Sequence, residues 1–176
     1  MNQHPDFLLN EVNEPQDIKS MNLDQLKELA QEMRQLVLER DSAVGGHVGP
    51  NLGVMELTIA FHYVFDSPHD KVIWDVSHQC YAHKMLTGRK LGFLDSDHYE
   101  DVSGFTDPSE SPHDFFKVGH TSTSIALAVG MTQARDLVSP ASHENVMAVI
   151  GDGSLSGGLA FEGLNNAAKL KSNLII

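Results

Sequence analysis

The sequence of 176 residues contains a single cysteine, Cys80, and few basic residues. One cysteine cannot form a disulfide within the chain, and its scarcity is typical of a reducing cytosol, so we expect a cytoplasmic protein. Lysine and arginine together number 12 against 24 acidic residues, which gives a formal net charge of −12. This charge repels nucleic acid and anionic lipid, and no basic stripe offsets it. Apolar runs long enough to span a membrane are absent, and the polar residues 1–20 do not resemble a signal peptide.

Several catalytic motifs are also missing. There is no HExxH pair, and with one cysteine a zinc site has little support. The GxSxG elbow typical of hydrolases is absent. A glycine-rich run at 151–158, GDGSLSGG, lacks the Lys-Ser/Thr pair that closes a Walker A loop. These absences argue against a metalloprotease, a serine hydrolase of that type and a P-loop enzyme.

The spacing of apolar residues predicts an α/β protein. A helix is expected over 23–40, with Asn22 as its N-cap. Because strands alternate with helices, we expect a parallel sheet with helices on both faces. We interpret residues 1–22 as a loose lead-in, 23–176 as one domain, and 89–118 as a long loop with little regular structure. The other predicted helices lie at 54–65, 79–87, 121–137 and 159–170, and the predicted strands at 71–75, at 145–150 and from 173 onward.

The segment Gly151-Asp152-Gly153-Ser154 follows a predicted buried strand and precedes a predicted helix. Ligands of α/β sheets bind at this kind of junction. Glycine lets the backbone approach a phosphate closely, and the Asp152 carboxylate can hold a Mg²⁺ ion that bridges phosphate oxygens. A helix N-terminus adds donors for anionic oxygens. A strand-to-helix turn capped by aspartate would show the same residues, so this motif alone does not decide between ligand binding and structure.

Three of the ten histidines lie in loops that precede predicted helices: His47, His78 and His120. His47 and His120 each directly follow a glycine. Little shields a side chain in such a loop, and the near-neutral pKa of histidine suits proton transfer. Each one taken alone could equally be an ordinary surface residue, but three such loops make coincidence less convincing.

Five segments together resemble the N-terminal region of the 1-deoxy-D-xylulose-5-phosphate synthase family. They appear in the family's order, and the resemblance covers most of the chain from about Leu23 to its end. Transketolases share the GGH-type loop and the GDG segment but not the second and third of these segments. The segments are GGHVGPNLGVMELTIAFHYVF at 45–65, KVIWDVSHQCYAHKMLTGRK at 71–90, SGFTDPSES at 103–111, VGHTSTSIALAVGM at 118–131 and VIGDGSLSGGLAFEGLNNA at 149–167.

The resemblance implies a thiamine-diphosphate-binding fold and an enzyme that joins pyruvate to D-glyceraldehyde 3-phosphate with loss of CO₂. That reaction feeds isoprenoid, thiamine and pyridoxal synthesis, and the complete enzyme is expected to be a homodimer. The implied cofactor is thiamine diphosphate held through Mg²⁺. By this resemblance Asp152 is a Mg²⁺ ligand, and Gly153 and Ser154 contact the diphosphate. His78 and the Gly119-His120-Thr121 turn line the cofactor, and His47 donates or accepts a proton at the reacting end.

The sequence departs from the family pattern at several positions. Ser77 stands where the family normally has glycine, Ala82 where it usually has proline, and Asp107-Pro108 where it typically has a basic pair. The chain also ends at Ile176, before the Asn-Asp-Asn segment that supplies the family's second Mg²⁺ ligand. We therefore expect an incomplete diphosphate-binding domain that is inactive alone. A catalytically inactive remnant that binds a partner and a divergent transketolase-like sugar transferase remain alternatives.

Overall fold

The computed structural model describes residues 4–176. These residues form two compact units, and the chain passes between them three times. Unit 1 contains the described residues up to Asp66 together with His78–Gly104, and unit 2 contains Ser67–Ser77 and Phe105–Ile176. Residues 23–176, expected as one domain, are thus distributed over both units, and their assignment to a single domain stays a prediction.

Unit 1 is helical. Its longest helix, α1 (Leu23–Val44), confirms the helix predicted from the apolar spacing and extends it by one turn. The predicted N-cap is also confirmed, because the Asn22 side chain accepts hydrogen bonds from the backbone N–H groups of Asp24 and Gln25 at 2.9 and 3.0 Å. The core of the unit consists of fully buried apolar side chains from several helices, among them Met33, Leu36, Met55 and Leu86.

The other helices of unit 1 are short. Helix α2 (Val48–Gly53) lies within the segment expected to be a glycine-rich loop, and α3 (Met55–Val64) matches the second predicted helix. The helix expected over 79–87 is α4 (Tyr81–Lys84), continued by a π-helical turn at Met85–Arg89. Gly88, the last residue but one of that turn, has a φ of +88°, a conformation that favours glycine. Helix α5 (Leu91–Leu94) and a 3₁₀ turn at Ser96–His98 lie within the long loop expected at 89–118. This segment therefore has more regular structure than predicted.

The N-terminal lead-in is more ordered than its sequence suggested. It contains 3₁₀ helices at Leu8–Glu11 and Pro15–Ser20, and Leu9 and Ile18 are fully buried. The Glu32 carboxylate of α1 accepts hydrogen bonds from the backbone N–H groups of Leu8 and Leu9 at 2.8 and 3.0 Å. These contacts order the segment, although its sequence has no apolar periodicity that would predict a regular element. Residues 1–3 of the predicted lead-in lie outside the described residues.

Unit 2 contains the predicted parallel sheet. Strands β1 (Lys71–Trp74), β2 (Val146–Val149) and β3 (Leu174–Ile175) are parallel and lie in that order. Lys71 is opposite Val146, and Val146 is opposite Leu174. The α/β class with a parallel sheet is confirmed.

Two helices complete unit 2. Helix α6 (Ser124–Val138) packs against all three strands, and α7 (Gly158–Leu170) packs against α6. The two helices approach closely at Gly163, where a Cβ atom would lie 2.9 Å from Ile125 Cγ2. None of the helices within residues 4–176 is long and apolar enough to cross a membrane.

Candidate functional site

Two of the histidines predicted as site residues are neighbours in unit 1. His47 is the residue before α2, and His78 lies shortly before α4. Their ring centroids are 5.4 Å apart, with the planes at 81° to each other. Both side chains are half-buried, so each keeps part of its surface accessible. The structure therefore brings together two candidates that are 31 positions apart in the sequence.

A buried asparagine holds the backbone around both histidines. Asn51 Nδ2 donates to the carbonyl oxygens of His47 and His78 at 2.6 and 2.9 Å. Its Oδ1 accepts from the backbone N–H of Tyr81 at 2.9 Å, and the residue is fully buried. An amide can make these three bonds because it carries donors and an acceptor in one plane. Sequence reasoning missed Asn51, although an asparagine between glycines in a loop was a visible signal.

Tyr81 contacts His47 directly. Its hydroxyl oxygen accepts a hydrogen bond from the His47 backbone N–H at 3.3 Å and lies 3.3 Å from Nδ1 of the same histidine. Tyr81 is 1% exposed, and burial raises the pKa of its phenol. The phenol therefore stays protonated across the neutral range. In the sequence, Tyr81 gives no signal beyond that of the predicted helix in which it lies.

The chain before His47 is packed against a buried ion pair. Arg40 Nη1 lies 3.2 Å from Asp41 Oδ1, and both side chains are nearly inaccessible. Burial raises the pKa of the Asp41 carboxyl, and Arg40 opposes that shift. A Cβ atom at Gly46 would collide with the Asp41 carboxylate. The second glycine of the Gly45-Gly46-His47 segment is therefore required by close packing.

In unit 2 a buried carboxylate organises the turn that contains Gly119, His120 and Thr121. Asp75, directly after β1, accepts hydrogen bonds from the backbone N–H groups of Ser122 and Ser124, both at 2.9 Å. Burial by itself would raise the pKa of Asp75, but these N–H groups and the Ser154 hydroxyl outweigh it and lower the pKa below its usual value of 3.8. The carboxylate is therefore ionised at neutral pH.

The same turn is joined to the GDG segment. Ser122 Oγ donates to the Ser154 carbonyl oxygen at 2.6 Å. Ser122 has φ of +70°, so its backbone holds a conformation that side chains rarely adopt. The predicted residues 119–121 and 152–154 therefore belong to two connected loops of unit 2. Asp75 and Ser122, which connect them, were not identified from the sequence.

Both loops leave their backbone accessible. A Cβ atom added at Gly119, Gly151 or Gly153 would meet no atom within 4 Å. Asp152 is exposed, and its Oδ1 accepts the Gly153 N–H at 2.8 Å. Helix α7 begins at Gly158, which confirms the helix predicted over 159–170, and a 3₁₀ turn at Ser154–Ser156 separates it from the GDG segment.

His120 and Thr121 are also exposed on the first of these loops. His120 Nδ1 lies 2.9 Å from the Thr121 carbonyl oxygen. A carbonyl oxygen only accepts, so Nδ1 is the protonated nitrogen of this ring. The Nε2 atom of neutral His120 is then a hydrogen-bond acceptor.

These loops fit a diphosphate with its metal. The open space beside three glycines admits phosphate oxygens close to the main chain, and the accessible Asp152 carboxylate is the hard oxygen ligand that Mg²⁺ prefers. Within residues 4–176, no three His, Cys, Asp or Glu side chains come close enough to hold a metal ion by themselves. A metal ion held by Asp152 would therefore need ligands other than two further side chains of these types from the described residues, and phosphate oxygens can supply them.

The chain is similar to known proteins over nearly its whole length. Residues 9–176 match the family model described as 1-deoxy-D-xylulose-5-phosphate synthase. The chain is 53% identical to the protein of that name from Brevibacillus brevis, over 97% of this chain and 27% of that protein. It is 51% identical to the one from Desulfitobacterium hafniense and 52% to the one from Desulforudis audaxviator, in each case over 96% of this chain and 26% of the relative. The chain therefore spans about a quarter of the length of these curated relatives, and it belongs to the 1-deoxy-D-xylulose-5-phosphate synthase family.

Proposed function

We propose that this chain is part of a thiamine-diphosphate-dependent transferase that joins pyruvate to D-glyceraldehyde 3-phosphate and releases CO₂. The observation that carries the proposal is the family match over residues 9–176, which includes all five segments that carry the resemblance, four of them with candidate site residues. The activity is the one named for the relatives, each about half identical to this chain over nearly its whole length. The working enzyme is proposed to be a homodimer.

In unit 2, Asp152 would hold Mg²⁺, and Gly153 and Ser154 would contact the diphosphate. The Gly119-His120-Thr121 turn would contact the cofactor as well. Support comes from the open space beside the glycines and from the hydrogen bond that joins the two loops through Ser122 and Ser154. Preorganised loops bind a ligand at a lower entropic cost than mobile ones.

In unit 1, His47 would donate or accept a proton at the reacting end, and His78 would contact the cofactor. Bound thiamine diphosphate supplies the carbanion-stabilising thiazolium ring. The contribution of this chain is to place a histidine where a proton must move. Asn51 and Tyr81 hold the His47 backbone, and the Tyr81 hydroxyl lies 3.3 Å from Nδ1 of the half-buried ring. These contacts support that role because they position His47 before any ligand binds.

A chimera tests the proposal. The segment of the Brevibacillus brevis synthase that corresponds to this chain is replaced by residues 1–176, and formation of 1-deoxy-D-xylulose 5-phosphate is measured with pyruvate and D-glyceraldehyde 3-phosphate. We expect activity that requires Mg²⁺ and thiamine diphosphate. A folded chimera without activity would favour the inactive remnant. Ketol transfer from a sugar phosphate without consumption of pyruvate would favour the transketolase-like alternative.

Two variants of the chimera separate the assigned residues. Asp152→Ala should abolish Mg²⁺-dependent cofactor binding, measured by calorimetry, because the metal loses a charged ligand. His47→Ala should leave the cofactor affinity nearly unchanged and lower kcat by ~10²-fold or more. A loss of cofactor affinity in His47→Ala would contradict this division of roles.

A further inference from the structure

The hydroxyl group of Tyr81 makes all of its hydrogen bonds within the described residues to a single partner, His47. It lies 3.3 Å from the backbone nitrogen and 3.3 Å from Nδ1 of that histidine. Tyr81 is 1% exposed, so water does not offer the hydroxyl an alternative. The position of one proton of His47 follows from these contacts.

A backbone N–H can only donate, so the Tyr81 oxygen is the acceptor of the His47 N–H. The phenol hydrogen then remains to be donated. The His47 Nδ1 atom is the acceptor within reach, and burial keeps the phenol protonated by raising its pKa. When Nδ1 of a neutral imidazole accepts, the ring proton resides on Nε2.

We propose that Tyr81 is a positioning residue that fixes neutral His47 as the Nε2–H tautomer. This inference deepens the proposed function and rests on it, since it makes the Nε2–H group the hydrogen-bond donor that neutral His47 presents to a bound ligand. His120 provides a contrast within the same chain, because its Nδ1 donates to a carbonyl oxygen and its Nε2 is left as an acceptor. The two histidines would thus offer opposite hydrogen-bonding character at Nε2.

The surroundings of Tyr81 allow its hydroxyl to be removed without moving its ring. The backbone N–H of Tyr81 is held by Asn51 Oδ1 at 2.9 Å. Its ring packs against Phe93, with centroids 5.5 Å apart, and the Arg40 guanidinium lies 5.4 Å from the ring centroid. None of these contacts uses the hydroxyl. Tyr81→Phe therefore removes the proposed interaction and leaves the packing in place.

The test is a nitrogen-15 spectrum of the histidine side chains of the whole chain, recorded where the rings are neutral, with His47 assigned by its loss in His47→Gln. In the wild type we expect His47 to be protonated at Nε2 and His120 at Nδ1. In Tyr81→Phe the ratio of His47 tautomers should fall about fivefold, the effect of one net hydrogen bond, towards that of free histidine in the same buffer. His120 should not change.

Tyr99→Phe is the matched control, because Tyr99 lies in unit 1, is 8% exposed and its hydroxyl is not hydrogen-bonded to any described residue. It should leave the His47 signals unchanged. Protonation of His47 at Nδ1 in the wild type would overturn the inference even if Tyr81→Phe does not fold. An unchanged tautomer ratio in a folded Tyr81→Phe would do the same.

The chimera with the Brevibacillus brevis protein adds a functional readout. Tyr81→Phe should move the pH profile of kcat and change KM little, whereas a purely structural defect would lower kcat equally at every pH. If the unsubstituted chimera is inactive, the proposed function fails, and the nitrogen-15 spectrum still decides the tautomer. A fall of about fivefold in the ratio of His47 tautomers in Tyr81→Phe is the expected result, and equal pH profiles for the two proteins would overturn the functional part.

Discussion

In each unit, one buried polar side chain forms hydrogen bonds to the backbone of the loops that contain candidate site residues. The two side chains differ in charge. In unit 1 the neutral amide of Asn51 bonds two carbonyl oxygens and one N–H group. In unit 2 the carboxylate of Asp75 bonds two N–H groups. Both residues are at most 1% exposed.

The difference follows from the kind of backbone group, carbonyl oxygen or N–H, that each loop presents to the buried side chain. The segments around His47 and His78 present carbonyl oxygens, which only a donor can satisfy, and the same site needs an acceptor for Tyr81. The turn before α6 presents only N–H groups, so a pure acceptor suffices, and an ionised one bonds them more strongly. We therefore expect the hydrogen bonds of Asn51 to be independent of pH and those of Asp75 to depend on it.

The largest effect is expected for Asn51→Leu. The substitution leaves two carbonyl oxygens and one N–H group without their partner in a buried site, and each such group costs ~1–3 kcal/mol. The free energy of unfolding should fall by ~3 kcal/mol or more. Urea unfolding followed by circular dichroism measures the loss, which should be the same at pH 5 and pH 7.

Asn166→Leu is the matched control for Asn51→Leu. Asn166 is exposed on α7 and donates only to the Glu162 carbonyl oxygen within its own helix. Its substitution should change the free energy of unfolding by no more than about 0.5 kcal/mol. Equal effects of the two substitutions would mean that the buried amide of Asn51 is not what holds the loop.

A smaller effect that depends on pH is expected for Asp75→Asn. The amide turns an NH₂ group towards N–H donors and loses the charge, which should lower the free energy of unfolding by ~2 kcal/mol at pH 7. Because the folded-state pKa of Asp75 lies below 3.8, its stabilisation is present above that value and is lost as the pH falls through the lower, folded-state pKa. The difference between wild type and Asp75→Asn should therefore shrink below pH 4.

Trp74, the single tryptophan, directly precedes Asp75 and reports this unfolding by fluorescence. Asp152→Asn is the control, since it also removes one carboxylate but on an exposed position, where the new amide oxygen can still accept the Gly153 N–H. It should change the stability little at any pH. A difference for Asp75→Asn that stays constant down to the lowest pH at which the chain folds would show that charge is not what distinguishes unit 2.

The sequence predicted the long helices and the strands better than the connections within either unit. Apolar spacing identified α1, α6, α7 and the strands, because burial of one face produces a period. Glycines and the histidines beside them identified the loops, since these signals come from neighbouring residues in the sequence. Asn51 and Asp75 could not be found in this way, because their partners other than His47 lie 27 to 49 positions away along the chain and such hydrogen bonds leave no periodic signal. The order of the lead-in was underestimated for the same reason, because the hydrogen bond that holds its Leu8 N–H comes from Glu32 in α1.

Ser77 shows how a departure from the family pattern fits the structure. Its φ is +70°, in the region that favours glycine, which agrees with the glycine that the resemblance expects there. The side chain is fully buried. Its hydroxyl accepts from the Thr106 N–H at 3.1 Å and donates to the Val118 carbonyl oxygen at 3.3 Å. Serine thus adds two bonds within unit 2 that glycine cannot make, at the cost of a strained backbone.

The smallest expected effect is the difference between two substitutions of Ser77. Ser77→Gly loses both hydrogen bonds but relieves a backbone strain of ~1–2 kcal/mol, so its stability should stay within about 0.5 kcal/mol of the wild type. Ser77→Ala loses the same bonds and keeps the strain, so it should be ~1–2 kcal/mol less stable. Urea unfolding followed by Trp74 fluorescence compares the three proteins. If alanine were tolerated as well as glycine, the strain at position 77 would be negligible, and if both were equally damaging, the hydroxyl would hold unit 2 much as the Asp75 carboxylate does.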